Sequence, residues 1–195
     1  MKINKKQILK YVDQGILKLI NNIKYKPYIF ISEADFQAQL YMTLYNSHKI
    51  FRQLVYDKEC EVKTNILHTE VNYYEKIFKY DIGILDPNRF HEEIYLNEKP
   101  VMVGMELKCG EYASKKSVLD NIENDARAFK ANCVNLYAEY GFVVYLNTHS
   151  DLSLSEIKII KQKIHKIKIK RNLKKIKFYY IQINDDNSEP IIVKV

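Results

Sequence analysis

The sequence predicts a single α/β domain with a mixed central sheet, and three patterns carry that prediction. Apolar residues recur at spacings of three and four in the N-terminal part, which is typical of amphipathic helices. Between residues 65 and 108 the period changes to two, with many β-branched and aromatic residues, and this indicates three consecutive strands. A long helical pattern then precedes a fourth strand, which allows a right-handed parallel crossover.

The elements follow in the order α–α–β–β–β–α–β–α–β. We predict helices over 4–24, 33–46 and 118–139, strands over 65–74, 79–86, 101–108 and 142–147, and a basic helix and strand within 153–183. Ser32 is a suitable N-cap for the second helix, and Gly141 is placed just past the end of the third. The apolar residues predicted to line the inner face of the second helix are Phe36, Leu40, Leu44 and Met42.

Composition limits the class of protein. The chain of 195 residues is 47% hydrophobic and 28% charged, as expected for one globular domain over 1–195. Its net charge of +7 is compatible with a polyanionic partner, nucleic acid before an anionic membrane. The three cysteines form no CxxC pair, which argues against a zinc or iron–sulfur site and fits a reducing compartment. No run reaches the roughly 20 apolar residues of a membrane span and no signal-peptide core is visible, so we expect a cytoplasmic protein without a membrane partner.

The segment VGMELKCG, residues 103–110, ends an apolar strand with two opposite charges. Residues two apart point to the same face of a strand, so Glu106 and Lys108 project together, while Gly104 leaves room beside them. If the strands over 79–86 and 101–108 pair antiparallel, Asp81 lies next to Glu106. Two adjacent carboxylates repel each other unless a cation or a shared proton intervenes. A hard ion such as Mg²⁺ prefers oxygen ligands, and Lys108 supplies positive charge for a phosphate or orients water.

The ExK spacing by itself is weak, because it recurs at Glu61–Lys63 and Glu156–Lys158. Only the Glu106–Lys108 pair closes an apolar strand that follows another apolar strand bearing an aspartate. The plain alternative is an α/β interaction protein in which these charges form a salt bridge.

The order of elements over 32–147, with Asp81 and the Glu106-Leu107-Lys108 triplet, resembles the αβββαβ core of the PD-(D/E)XK nuclease superfamily, the restriction-endonuclease-like fold. The N-terminal helix and the C-terminal helix–strand are additions to that core. Tyr80 replaces the proline that precedes the family's aspartate. The resemblance implies Mg²⁺-dependent hydrolysis of phosphodiester bonds, in DNA rather than RNA, with Mn²⁺ as a substitute. The alternative is a catalytically inactive nucleic-acid-binding or assembly subunit on the same fold.

The resemblance also assigns roles to residues. Asp81, Glu106 and the Leu107 carbonyl would hold the metal, and Lys108 would activate or orient the water. An accessory acid would be Glu33 or Glu70, although an acid at the start of a helix also favours the helix dipole by itself. A homodimer that cuts both strands is a further implication.

Residues 158–175 hold nine Lys or Arg and no acid. Such a basic face could bind the phosphates of a nucleic-acid backbone. The alternative interpretation is that it is the solvent-exposed side of a helix that packs on the core. The predicted nucleic-acid contacts are Lys115, Lys116, Lys161, Lys168, Lys170 and Arg171.

Overall fold

The computed structural model describes residues 4–25, 32–57, 62–72, 79–90, 100–110, 116–124, 138–148, 152–183 and 189–195. The fold is mixed α/β, as the sequence predicts. The helices are α1 (Lys5–Tyr25), α2 (Glu33–Ser47), α3 (helical residues 116–124) and α4 (Leu154–Lys170), with a 3₁₀ turn at Lys49–Arg52. The strands are β1 (Leu54–Asp57), β2 (Val62–Asn65), β3 (Leu67–Asn72), β4 (Lys79–Leu85), β5 (Val101–Gly110), β6 (Ala138–Asn147), β7 (Ile176–Gln182) and β8 (Ile191–Lys194).

The main sheet has six strands in the order β3-β4-β5-β6-β7-β8. β3, β4 and β5 form an antiparallel meander, whereas β5, β6 and β7 run parallel. The predicted meander and parallel crossover are therefore both present. β1 and β2 form a separate two-stranded hairpin.

Helices cover both faces of this sheet. On one face, α1 and α2 bury an apolar stripe against β5, and the residues they contribute include Ile8, Val12, Ile16, Phe36, Leu40 and Leu44. On the other face, α3 and α4 contribute Val118, Ile122, Ile157, Ile160 and Ile164 to a second cluster. A strand covered on both sides reads as a continuous apolar run, which explains the sequence of β6.

Asp13 connects α1 to strands β7 and β8 of the main sheet. Its carboxylate accepts hydrogen bonds from the Lys177 ammonium and, at 2.5 Å, from the Tyr179 hydroxyl, and it lies 3.2 Å from the Lys194 ammonium. Burial alone would raise the pKa of Asp13, but the hydrogen bonds from Lys177 and Tyr179 outweigh it and hold that pKa below its usual value. The ionised carboxylate therefore stabilises the packing of α1 on β7 and β8.

Several sequence-based boundaries are wrong. The third helix does not extend to residue 139, because β6 begins at Ala138, where Val101 of β5 pairs with it. Gly141 is not a helix terminator, since it lies inside β6 opposite Gly104. Sheet pairing here overrides the helix propensity of the alanine and glutamate. Met42 does not line the inner face of α2, because its side chain is 51% exposed.

Other elements were missed or placed too broadly. The β1–β2 hairpin and β8 were not predicted. The strand expected over 65–74 is divided, since β2 ends at Asn65 and β3 begins at Leu67 with the buried Ile66 between them. No helix in the described residues is long and apolar enough to cross a membrane.

Candidate active site

Asp81 lies on β4 against the backbone of β5, at the predicted charged triplet. The antiparallel pairing of β4 with β5 ends at Ile82 and Met105, and Asp81 and Glu106 are the next residues on the two strands. The Asp81 Oδ2 atom accepts a hydrogen bond of 2.6 Å from the Leu107 backbone nitrogen. The Asp81 carboxylate therefore binds the backbone N–H of Leu107, the residue that separates Glu106 from Lys108, and the expected proximity of the Asp81 and Glu106 carboxylates stays a prediction.

Lys108 also contacts Leu107, but through the carbonyl oxygen rather than the N–H. Its ammonium nitrogen lies 3.0 Å from the Leu107 carbonyl oxygen and 3.3 Å from the Glu33 Oε1 atom. Glu33 is the first residue of α2, whose N-cap Ser32 accepts a hydrogen bond from the Asp35 nitrogen. The cap fixes where α2 begins, and thereby places Glu33 over the end of β5.

Gln37 is a residue that the sequence analysis missed. It follows Glu33 by one helical turn, and its Nε2 atom donates hydrogen bonds to the Asp81 carbonyl oxygen at 2.5 Å and to the Glu70 Oε1 atom at 3.1 Å. The signal available in the sequence was its spacing of four from Glu33, which puts both side chains on the same face of α2. Gln37 thus connects three elements at the backbone of Asp81.

Glu70 lies on β3, at the exposed side of the residues that surround Asp81. It is exposed, adopts a left-handed backbone with φ of 50°, and its Oε2 atom lies 3.5 Å from the Lys79 ammonium. Such a conformation is uncommon for a residue other than glycine, and it interrupts the pairing of β3 with β4 opposite Asp81. Of the two predicted accessory acids, Glu33 binds Lys108 directly, whereas Glu70 reaches Asp81 through Gln37.

The electrostatics of Asp81 are unusual. Burial raises its pKa from 3.8 to about 6, and the nearby charges of Glu33 and Glu70 act in the same direction. The Leu107 N–H and the Lys108 ammonium oppose this rise without cancelling it. A carboxylate among other acids gains from a cation that binds it, so this environment favours positive charge next to Asp81. Burial raises the pKa of the neighbouring Cys109 thiol to about 11, which favours its neutral form over the thiolate.

Gly104 has a different role from the one expected. The space beside it is filled, since a Cβ atom at this position would lie 2.5 Å from Cε1 of the Tyr80 ring. Tyr80 and Ile82 pack in clusters on opposite faces of the sheet although they are two residues apart. Strand alternation therefore breaks at Asp81, where the side chain turns toward the β5 backbone.

The atoms collected around Leu107 are carboxylate and carbonyl oxygens and one ammonium nitrogen. In the part of the chain that the structure describes, no three His, Cys, Asp or Glu side chains converge to hold a metal ion. Mg²⁺ keeps several waters and is usually bound through only one or two carboxylates, so a metal site does not require three such side chains. The Leu107 carbonyl oxygen and the Glu33 carboxylate both accept hydrogen bonds from the Lys108 ammonium in this structure.

The predicted nucleic-acid contacts lie elsewhere. Lys161, Lys168 and Lys170 belong to α4, which covers the opposite face of the sheet from α2, and Lys116 is the first described residue of α3. Arg171 is engaged by Glu123, with 2.9 Å between Nη2 and Oε1. Lys115 lies outside the described residues.

Comparisons of the chain with protein-family models, with curated proteins and with solved structures find no match. Any functional assignment therefore rests on the geometry and the electrostatics of the site.

Proposed function

We propose that the protein is a metal-dependent nuclease that hydrolyses phosphodiester bonds, with DNA preferred over RNA. One observation carries the proposal: Asp81 and Lys108, from two adjacent strands, bind the N–H and the carbonyl of the same residue, Leu107, next to Glu106. This arrangement collects carboxylate and carbonyl oxygens at one place and sets an ammonium group beside them.

Each residue has a distinct part in the proposed chemistry. Asp81, Glu106 and the Leu107 carbonyl would hold Mg²⁺, which when bound lowers the pKa of water and polarises the phosphoryl oxygen. Lys108 would donate hydrogen bonds to a phosphate oxygen or to the attacking water, because its ammonium carries three donors at the edge of the group.

Two residues position the others. Glu33 holds the Lys108 ammonium at 3.3 Å and keeps it at the end of β5. Gln37 binds the Asp81 carbonyl oxygen and so fixes the backbone that directs the carboxylate. Well-positioned groups matter here, because small displacements of reacting groups cost large factors in rate.

The test is cleavage of plasmid DNA, linear DNA and RNA in Mg²⁺, Mn²⁺ or EDTA. We compare the wild type with Asp81→Asn and Lys108→Met, and with the matched variants Asp120→Asn and Lys10→Met, which change exposed residues on α3 and α1. We expect metal-dependent cleavage that falls about 100-fold or more in the first two variants, as for loss of a transition-state contact, and is unchanged in the controls. Equal cleavage by all five proteins contradicts the proposal, and nucleic-acid binding without cleavage favours the inactive subunit.

A further inference from the structure

A second charged feature lies away from the candidate active site. A groove of about 760 Å³ runs between α4, the segment after that helix and the end of β8. Lys158, Lys161 and Lys168 line the groove from α4, and Lys174 lines it from the segment after that helix. Lys194 lines it from β8, but its ammonium pairs with Asp13 of α1. We call this the α4–β8 groove.

The described residues that line the α4–β8 groove carry mainly positive charge. No acidic residue of the described chain lines it. Lys158, Lys161 and Lys174 are exposed. Within the described part of the chain these three make no ion pair, and Lys194 alone of the five lysines is paired there, with Asp13 at 3.2 Å. Burial, and then the charge of Lys177, lower the pKa of Lys168. Unpaired charges of one sign along concave walls raise the local concentration of the opposite charge.

The shape selects the kind of anion. Lys158 and Lys168 are ten residues apart on α4, which at about 1.5 Å per residue is about 15 Å along the helix axis. A single phosphate or carboxylate cannot span that length, whereas a nucleic-acid backbone carries regularly spaced charges over it. The surface is a concave groove, so a flat membrane would not reach both walls.

We infer that the α4–β8 groove binds the phosphate backbone of nucleic acid without reading its bases. It lies on the face of the sheet opposite α2, and β8 is three strands from β5, about 14 Å at about 4.8 Å per strand. The groove is thus an anchoring surface separate from Asp81. The inference does not depend on the proposed nuclease activity, since binding here requires neither Asp81 nor a metal ion.

The experiment measures binding of a fluorescent duplex by anisotropy in EDTA over a series of salt concentrations. The test variant is Lys158→Ala/Lys161→Ala/Lys174→Ala. The control removes three exposed lysines of α1 on the opposite face, Lys6→Ala/Lys10→Ala/Lys18→Ala, and has the same net charge. Asp81→Asn is measured alongside, so that failure of binding and failure of cleavage are distinguished. Circular dichroism verifies that each variant is folded.

We expect the test variant to lose up to about three phosphate contacts, so the slope of log K against log[salt] falls by up to about 2.7. The control and Asp81→Asn should bind as the wild type does. Wild-type affinity and slope in the test variant overturn the inference, as does an equal loss in both triple variants. Capture of phosphatidylserine vesicles or polyglutamate by a protein that does not bind the duplex also overturns it.

Discussion

Substituting Asp81 by asparagine should stabilise the protein in the absence of metal. The amide oxygen of asparagine still accepts the hydrogen bond from the Leu107 nitrogen, so the substitution removes charge and keeps the contact. The pKa of Asp81 is about 6 in the folded protein, against its usual 3.8. A difference of about two pKa units corresponds to about 3 kcal/mol at about 1.4 kcal/mol per unit. Because Asp81 is only partly buried, solvent screening reduces this to about 1.5 kcal/mol.

The sign follows from proton binding. Between the two pKa values the folded protein keeps a proton that the unfolded chain has released, so the free energy of unfolding falls as the pH rises. The destabilisation by the ionised Asp81 carboxylate is complete above a pH of about 6 and absent below the usual pKa of 3.8. Asp81→Asn should therefore raise the free energy of unfolding by about 1.5 kcal/mol at pH 8, and by less than about 0.5 kcal/mol at pH 4.

Urea unfolding in EDTA, followed by circular dichroism at both pH values, measures this difference. Asp120→Asn, on the exposed side of α3, should show no comparable gain at pH 8. If Asp81→Asn destabilises the protein equally at pH 4 and pH 8, the ionised carboxylate is not disfavoured by its surroundings, and the electrostatic argument for a cation at this site is refuted.

Three further predictions concern the site and the fold. Glu33→Gln should move the acidic limb of the metal-dependent cleavage profile to lower pH, because the charge of Glu33 raises the pKa of Asp81, and an unmoved limb would count against that coupling. Asp13→Asn should reduce the free energy of unfolding by about 2 kcal/mol at pH 7. Folding lowers the pKa of Asp13, so the loss of unfolding free energy in Asp13→Asn should become smaller in urea titrations as the pH falls below 3.8. A loss that does not depend on pH would contradict the assignment of Asp13 to an ion pair. Gly104→Ala should cost about 1–3 kcal/mol through overlap with the Tyr80 ring, and less in a Tyr80→Val background; strict additivity in that double-mutant cycle would show that the two residues are not coupled.

The meander and the crossover could be predicted because each depends on a local pattern. The apolar runs of β4 and β5, and the antiparallel pairing of these two strands, follow from strand period and short connections. Ser32 and the stripe of α2 likewise predicted where Glu33 would begin that helix. These signals involve neighbours along the chain, so a single sequence is sufficient to detect them.

The remaining features depend on contacts between distant residues. Nothing in the pattern around Gly104 shows that the Tyr80 ring fills the space beside it, or that alternation breaks at Asp81. β8 is four residues long and finds its place by pairing with β7, and the contact between Gln37 and Asp81 joins residues 44 positions apart. Such contacts are decided by packing rather than by local propensity.

Crystallography of the protein with Mn²⁺ tests the proposed metal site most directly, because anomalous scattering locates the ion independently of activity. We expect one peak within about 2.6 Å of oxygen atoms from Asp81, Glu106 and the Leu107 carbonyl, the upper end of distances for hard cations, and loss of that peak in Asp81→Asn. A crystal in which the Asp81 and Glu106 carboxylates share no ion at saturating Mn²⁺ would contradict the proposed site.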